Sequence, residues 1–179
     1  MPILGLVVCG APLVARAPNL ANESRRAGWD VSLVPTEAAT PWLEASDDTQ
    51  DHPTRFRRPD EPKRPRPDAL VVCPLTFNSA SKWALGIADN RAMSLLCESL
   101  GSGMPILAVP MVNDSLWRHP AWTGHLELLT ARGVVMLDPA TGAPEARSVR
   151  SGTGDDITKN FDPMWVLETL ARLRGTTAS

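Results

Sequence analysis

Short runs of apolar residues punctuate the chain at 3–8, 29–34, 69–73, 105–109 and 134–137. The first, ILGLVV, is continuous rather than alternating, the pattern of a strand covered on both faces in a parallel sheet. Between the runs the pattern turns helical. Residues 13–27 read as a helix closed by Gly28, with Pro18 either in its first turn or kinking it. Thr36 is placed to cap a helix through Trp42 and Leu43. Lys82, Trp83, Leu85 and Ile87 mark another helical segment, and 91–100 continues in the same way. Residues 116–131 are helical in composition but interrupted at Pro120, and Asp162-Pro163 starts a last helix through Leu173. Strands alternate with helices, so the expected fold class is α/β: a doubly wound, mostly parallel sheet with right-handed crossovers, in a single domain over 1–179.

Two stretches break the rhythm. Residues 46–67 hold Pro53, Pro59, Pro62, Pro65 and Pro67, too many for a regular helix or a central strand. An acidic half with Asp47, Asp48 and Asp51 precedes a basic half with Arg55, Arg57, Arg58, Lys63, Arg64 and Arg66. This segment reads as a solvated loop, with a lid over a ligand or a contact to a neighbouring subunit as the alternatives. Residues 140–160, rich in Gly, Thr and Asp, read as a flexible loop.

Composition narrows the function classes. A length of 179 residues suits one domain, and a net charge of -2 favours neither nucleic acid nor an anionic membrane as partner. No apolar run approaches the roughly 20 residues that span a bilayer. The opening MPILGLVVCGAP has no basic n-region and reads as a first strand, not a signal peptide. Cys9, Cys73 and Cys97 are widely spaced, as buried thiols of a reducing cytoplasm are, and no metal site is expected. The chain has no Tyr, which removes a phenol as general acid.

The chemistry concentrates where strands end. Gly10-Ala11-Pro12, Thr36-Glu37-Ala38, Thr76-Phe77-Asn78-Ser79 and Met111-Val112-Asn113 each follow a strand directly. In a parallel sheet these turns emerge on one edge, where helix N-termini and hydroxyls hold anions. A phosphorylated ligand is therefore expected, without a Walker lysine or a nucleotide fingerprint. Each turn alone would serve equally as turn or cap; their coincidence favours a site.

Two motifs carry a family resemblance. Pro74-Leu75-Thr76-Phe77-Asn78-Ser79, followed by Lys82 and by Gly86-Ile87-Ala88-Asp89-Asn90, resembles the signature of the homo-oligomeric flavin-containing cysteine decarboxylases. Those include phosphopantothenoylcysteine decarboxylase and the peptidyl-cysteine decarboxylases of lanthipeptide biosynthesis. Pro110-Met111-Val112-Asn113-Asp114-Ser115-Leu116-Trp117 resembles the family's second motif, Pro-x-Met-Asn-x-x-Met-Trp, with Val112 and Leu116 in place of the methionines. The resemblance implies a Rossmann-like (flavodoxin-like) domain that binds FMN near a subunit interface and assembles as a homotrimer or a dodecamer of trimers. It implies phosphate and ribityl contacts at Gly10, Ala11, Pro12, Thr36, Ala38, Thr76, Asn78 and Ser79, with Phe77 and Met111 near the isoalloxazine.

The implied substrate is a small-molecule or peptide cysteine derivative, oxidised at its thiol and then decarboxylated, with Asn113 binding the carboxylate. The family's catalytic histidine falls near Asp60, and the only histidine upstream of the first motif is His52, so both are candidate bases. Residues 140–161 contain no cysteine, which fits an oxidative, peptide-type reaction better than the coenzyme A pathway. The alternative is an FMN carrier or sensor that keeps the pocket without the chemistry. His119 and His125 read as surface or packing residues, Trp83 as core or subunit contact, and Cys9 and Cys73 as packing.

Overall fold

The computed structural model describes residues 1–43, 59–62 and 64–177, so His52 and most of the Pro-rich segment lie outside the described residues. Five parallel strands form one sheet: β1 (Ile3–Val8), β2 (Asp30–Pro35), β3 (Ala69–Leu75), β4 (Ile106–Pro110) and β5 (Val134–Met136). Their order is β2-β1-β3-β4-β5. This is the flavodoxin-like order, in which the chain reverses direction across the sheet between β1 and β3 and opens a crevice there.

The apolar runs form strands because both faces of the sheet are covered. On one face Leu4, Leu6, Val8, Val71, Leu107 and Val109 pack against Leu20 of α1 (Ala17–Arg26) and Val166 and Leu170 of α8 (Pro163–Thr177). On the other, Val7, Leu70, Val72, Ile106 and Ala108 meet α3 (Phe77–Leu85), α4 (Arg91–Ser99) and α6 (Trp122–Ala131) through Trp83, Met93, Leu96, Trp122 and Leu129. Cys9 belongs to this second cluster and Cys73 to the first, so the two thiols project from opposite faces of adjacent strands.

Several expected boundaries move. The third strand does not halt at Pro74 but runs on to Leu75. Pro74 lacks the N–H a ladder needs, and the register against β4 shifts between Val72 and Leu75 to pass it. The first helix divides into a 3-10 turn, Pro12–Arg16, and α1, whose first turn takes Pro18. The helix after Thr36 divides likewise into a 3-10 turn, Glu37–Ala39, and the four-residue α2 (Thr40–Leu43). Pro120 separates α5 (Asp114–Trp117) from α6. The 140–160 segment is not all loop: α7 (Gly154–Asn160) forms within it, with Asp155 and Asp156 in the first turn, where carboxylates favour a helix N-terminus.

Candidate functional site

The carboxyl ends of β1, β2, β3 and β4 surround a cleft of about 670 Å³. Gly10, Ala11, Pro12, Thr36, Ala38, Thr76, Phe77, Asn78, Ser79, Met111 and Asn113 all line it. Every ligand-contact position expected from the sequence is thus brought to one space. Glu37, Trp42, Lys82, Asp89, Asn90, Met93, Val112 and Leu116 complete the lining.

The centre of the cleft is a polar cradle. Thr76 is the N-cap of α3: its hydroxyl oxygen accepts from the Ser79 amide at 3.3 Å and its hydroxyl reaches Ser79 Oγ at 3.2 Å. The first-turn amides of Phe77 and Asn78 have no carbonyl behind them in the helix, and the helix dipole makes this end favourable to an anion. Opposite, Gly10 approaches the 36–38 turn so closely that a Cβ there would sit 2.6 Å from the Ala38 carbonyl carbon and 2.8 Å from Ala38 Cβ. Only glycine fits. Thr36 is tied down as its amide donates to Val8 O at 2.9 Å and its hydroxyl donates to the same oxygen at 3.3 Å. Its side chain therefore makes no cap to the following turn, contrary to expectation.

Asn113 caps the helix that follows β4. Its Oδ1 accepts the Leu116 amide at 3.0 Å and caps α5, which orients the side-chain amide and leaves Nδ2 to donate elsewhere. At the rim, Lys82 pairs with Asp89, whose other oxygen accepts from Asn90 Nδ2 at 3.1 Å. Asn90 in turn caps α4 through the Met93 amide at 3.0 Å. A second hollow of about 420 Å³ adjoins the cleft, shares Pro12, Met111 and Asn113 with it, and is closed by Val149, Arg150, Ser151, Gly152, Gly154 and Asp155.

Asp60 does not line the cleft. It lies in an exposed turn of a segment that enters β3 from its amino end, where Asp68 accepts the Ile3 amide at 2.7 Å. His119 Nδ1 accepts the Ala121 amide at 3.2 Å, and its ring meets the edge of Phe77 at 5.3 Å, a turn and packing role. Burial pushes the Cys9 thiol up, against the opposing effect of hydrogen bonds to Ser79 and the Thr76 backbone. Burial, then the charge of Cys9, pushes Cys73 up as well. Both therefore stay protonated near neutral pH and pack rather than react. Trp42 and Met93 are lining residues the sequence did not flag, because helical spacing alone does not say which side chains reach a cleft.

The strand order, the switch-point cleft and its donor set define an α/β protein that binds an anionic ligand with an apolar body. The chain belongs to the flavoprotein family, whose family model matches residues 2–155. It is 28% identical over 144 residues to the coenzyme A biosynthesis bifunctional protein of Mycolicibacterium smegmatis, covering 75% of this chain and 34% of that protein. To the Escherichia coli K12 protein of the same name it is 24% identical over 174 residues, covering 91% and 41%. The chain thus spans only about a third to two fifths of these relatives' length. Among solved structures it resembles a PPC decarboxylase mutant complexed with pantothenoylaminoethenethiol, at a TM-score of 0.74, 19% identity and 97% and 98% coverage. It also resembles the cypemycin decarboxylase, at a TM-score of 0.71, 18% identity and 100% and 97% coverage. These likenesses establish the fold.

Proposed function

We propose that this chain is one FMN-binding domain that catalyses flavin-dependent oxidative decarboxylation of a cysteine-derived or peptidyl-cysteine carboxylate. The observation that carries the reading is the cleft itself, where an anion cradle and the Nδ2 donor of Asn113 face the same space. Its residues fit a flavin mononucleotide: hydroxyls and helix amides for the phosphate, and Phe77 and Met111 beside the ring. When bound, FMN would supply two-electron oxidation of the substrate thiol.

The protein's own share is binding and placement. Thr76, Asn78, Ser79 and the α3 amides hold the phosphate, while Gly10 and Ala38 bring backbone against the ribityl chain. Asn113 Nδ2 donates to the substrate carboxylate and aims it until carbon dioxide leaves. Met111, Val112 and Leu116 keep water from the reacting atoms. The adjoining hollow around Arg150 and Gly152 takes the rest of the substrate. With no cysteine in 140–161 to return electrons, an oxidised enethiol is the product released. His52 is the proposed base.

Leu85 and Ile87, 64% and 43% exposed, are apolar surface that a neighbouring subunit of the expected homotrimer or dodecamer of trimers would cover. Three free cysteines support a reducing cytoplasm. Among the described residues no helix is long and apolar enough to cross a membrane.

Anaerobic mixing of the flavin-loaded protein with peptides ending in cysteine tests the reading: the flavin bleaches and carbon dioxide is released in equal amount. Glu37, Lys82 and Asp89 are the ionisable side chains lining the cleft among the described residues, and that favours a second reading, a flavin carrier without decarboxylation. Tight FMN with no carbon dioxide selects the carrier. A colourless protein that cannot be loaded with FMN removes both.

Gly10→Ala tests the cradle. The added methyl forces the 36–38 backbone to move, because the obstructing atoms are a carbonyl and not a flexible tip. FMN binding, followed by fluorescence titration, weakens at least about tenfold, and overpacking costs about 1–3 kcal/mol in thermal unfolding. Unchanged affinity would show that the cofactor does not use this turn.

A further inference from the structure

Among the described residues two large apolar side chains of the cleft, Trp42 and Leu116, are left open to solvent, and only the first is aromatic. Trp42, on α2, lines the cleft with 45% of its surface exposed. Among the described residues Phe77 is the other aromatic in the lining, and its ring is already engaged, stacked on Trp122 at 5.4 Å and edge-on to His119 at 5.3 Å. We propose that Trp42 is the stacking surface for the planar ring of the bound ligand, which on the flavin reading is the isoalloxazine. The proposal rests on that reading and adds a residue to it.

Three observations point the same way. The anion cradle sits at the ends of β1 and β3, so a ligand held there by its phosphate must lay its apolar part along a neighbouring wall. Trp42 stands on the β2 wall and Met111 on the β4 wall. These strands are three spacings apart, about 14 Å at ordinary strand separation, which leaves room between the two walls for a planar ring lying flat against the indole. The helix that carries Trp42 is also anchored: the next residue, Leu43, packs against the core, and α2 lies against the 3-10 turn Pro12–Arg16. A large rigid aromatic fixed in this way presents its surface at little entropic cost on binding.

The test titrates the full chain and its W42A and W42F variants with FMN and, separately, with ribitol 5-phosphate, which keeps the phosphate and chain but lacks the ring. The parent quenches its indole emission on binding FMN and gains a long-wavelength charge-transfer shoulder. W42A loses about tenfold in FMN affinity while its affinity for ribitol 5-phosphate stays at the parent value, and W42F stays within about threefold for both. An unchanged FMN affinity in W42A overturns the stacking role and leaves the flavin reading intact. Equal losses for FMN and ribitol 5-phosphate also overturn it, because the whole cleft has then collapsed. Should W42A fail to fold, the parent and W42F decide: a shoulder present in the parent and altered in W42F supports the role, and no shoulder in the parent overturns it. A parent that binds no FMN overturns the flavin reading instead.

Discussion

Asn113→Asp loses at least about a hundredfold in turnover while keeping its flavin and its fold. The reasoning turns on which half of the side chain does which job. Oδ1 of Asn113 caps α5 by accepting the Leu116 amide at 3.0 Å, and an aspartate oxygen accepts that hydrogen bond equally well. Stability is therefore preserved. What disappears is the Nδ2 donor, and a negative charge now faces the substrate carboxylate. Like charges in a partly desolvated site cost several kcal/mol, and each 1.4 kcal/mol is a factor of ten in rate. The check is carbon dioxide release under saturating peptide, with the flavin absorbance of the same sample showing that the cofactor is bound. Turnover equal to the parent would take Asn113 out of the reaction and leave it a helix cap.

Trp83→Ala destabilises the protein by about 3–5 kcal/mol, the range for removing a buried aromatic from a packed core. Trp83 is 1% exposed, lies on α3, and its indole N–H donates to Leu96 O of α4 at 2.8 Å. It thus anchors the helix whose N-terminus carries Thr76, Asn78 and Ser79. In a chain of this size about 1 kcal/mol moves Tm by roughly 2–4 °C, so a loss of about 10 °C is expected in a thermal melt. Trp83→Phe keeps most of the volume and gives up the hydrogen bond, costing about 1 kcal/mol beyond the smaller ring. A melt of Trp83→Ala within 2 °C or so of the parent would contradict the core placement. That placement also answers the choice the sequence left open, core or subunit contact.

What could be read from the sequence depended on how local the signal was. The buried strands declare themselves because a strand covered on both faces needs an apolar residue at nearly every position, as in Ile3–Val8 and Ala69–Leu75. The ligand turns follow at once, since a parallel sheet sends every strand end to one edge. Gly10, Thr76 and Asn113, far apart in sequence, meet in the cleft for that reason alone.

Features decided by tertiary contact were harder to read. Residues 154–160 look like loop by composition, yet α7 forms there; Gly154 packs against Pro12, where a Cβ would come within 3.2 Å of the proline ring. Thr36 has the side chain of a cap, but β1 offers its hydroxyl a carbonyl at Val8 instead. Asp60 was placed by counting back from a motif across a Pro-rich insertion, and such a segment carries no periodicity to preserve a position. Trp42 was invisible for a similar reason: four residues of helix do not define a face.

The opposed placement of Cys9 and Cys73 bears on durability. A flavin recharged by dioxygen sheds peroxide beside its own pocket, and thiolates within reach climb the oxidation ladder toward sulfinic acid. Adjacent strands could have set two thiols side by side, ready to cross-link or to be damaged together. Here the sheet lies between them, each is buried, and burial raises both thiols above their usual range, so little thiolate exists to be attacked. The core beneath the strand ends thereby offers little for such an oxidant to attack.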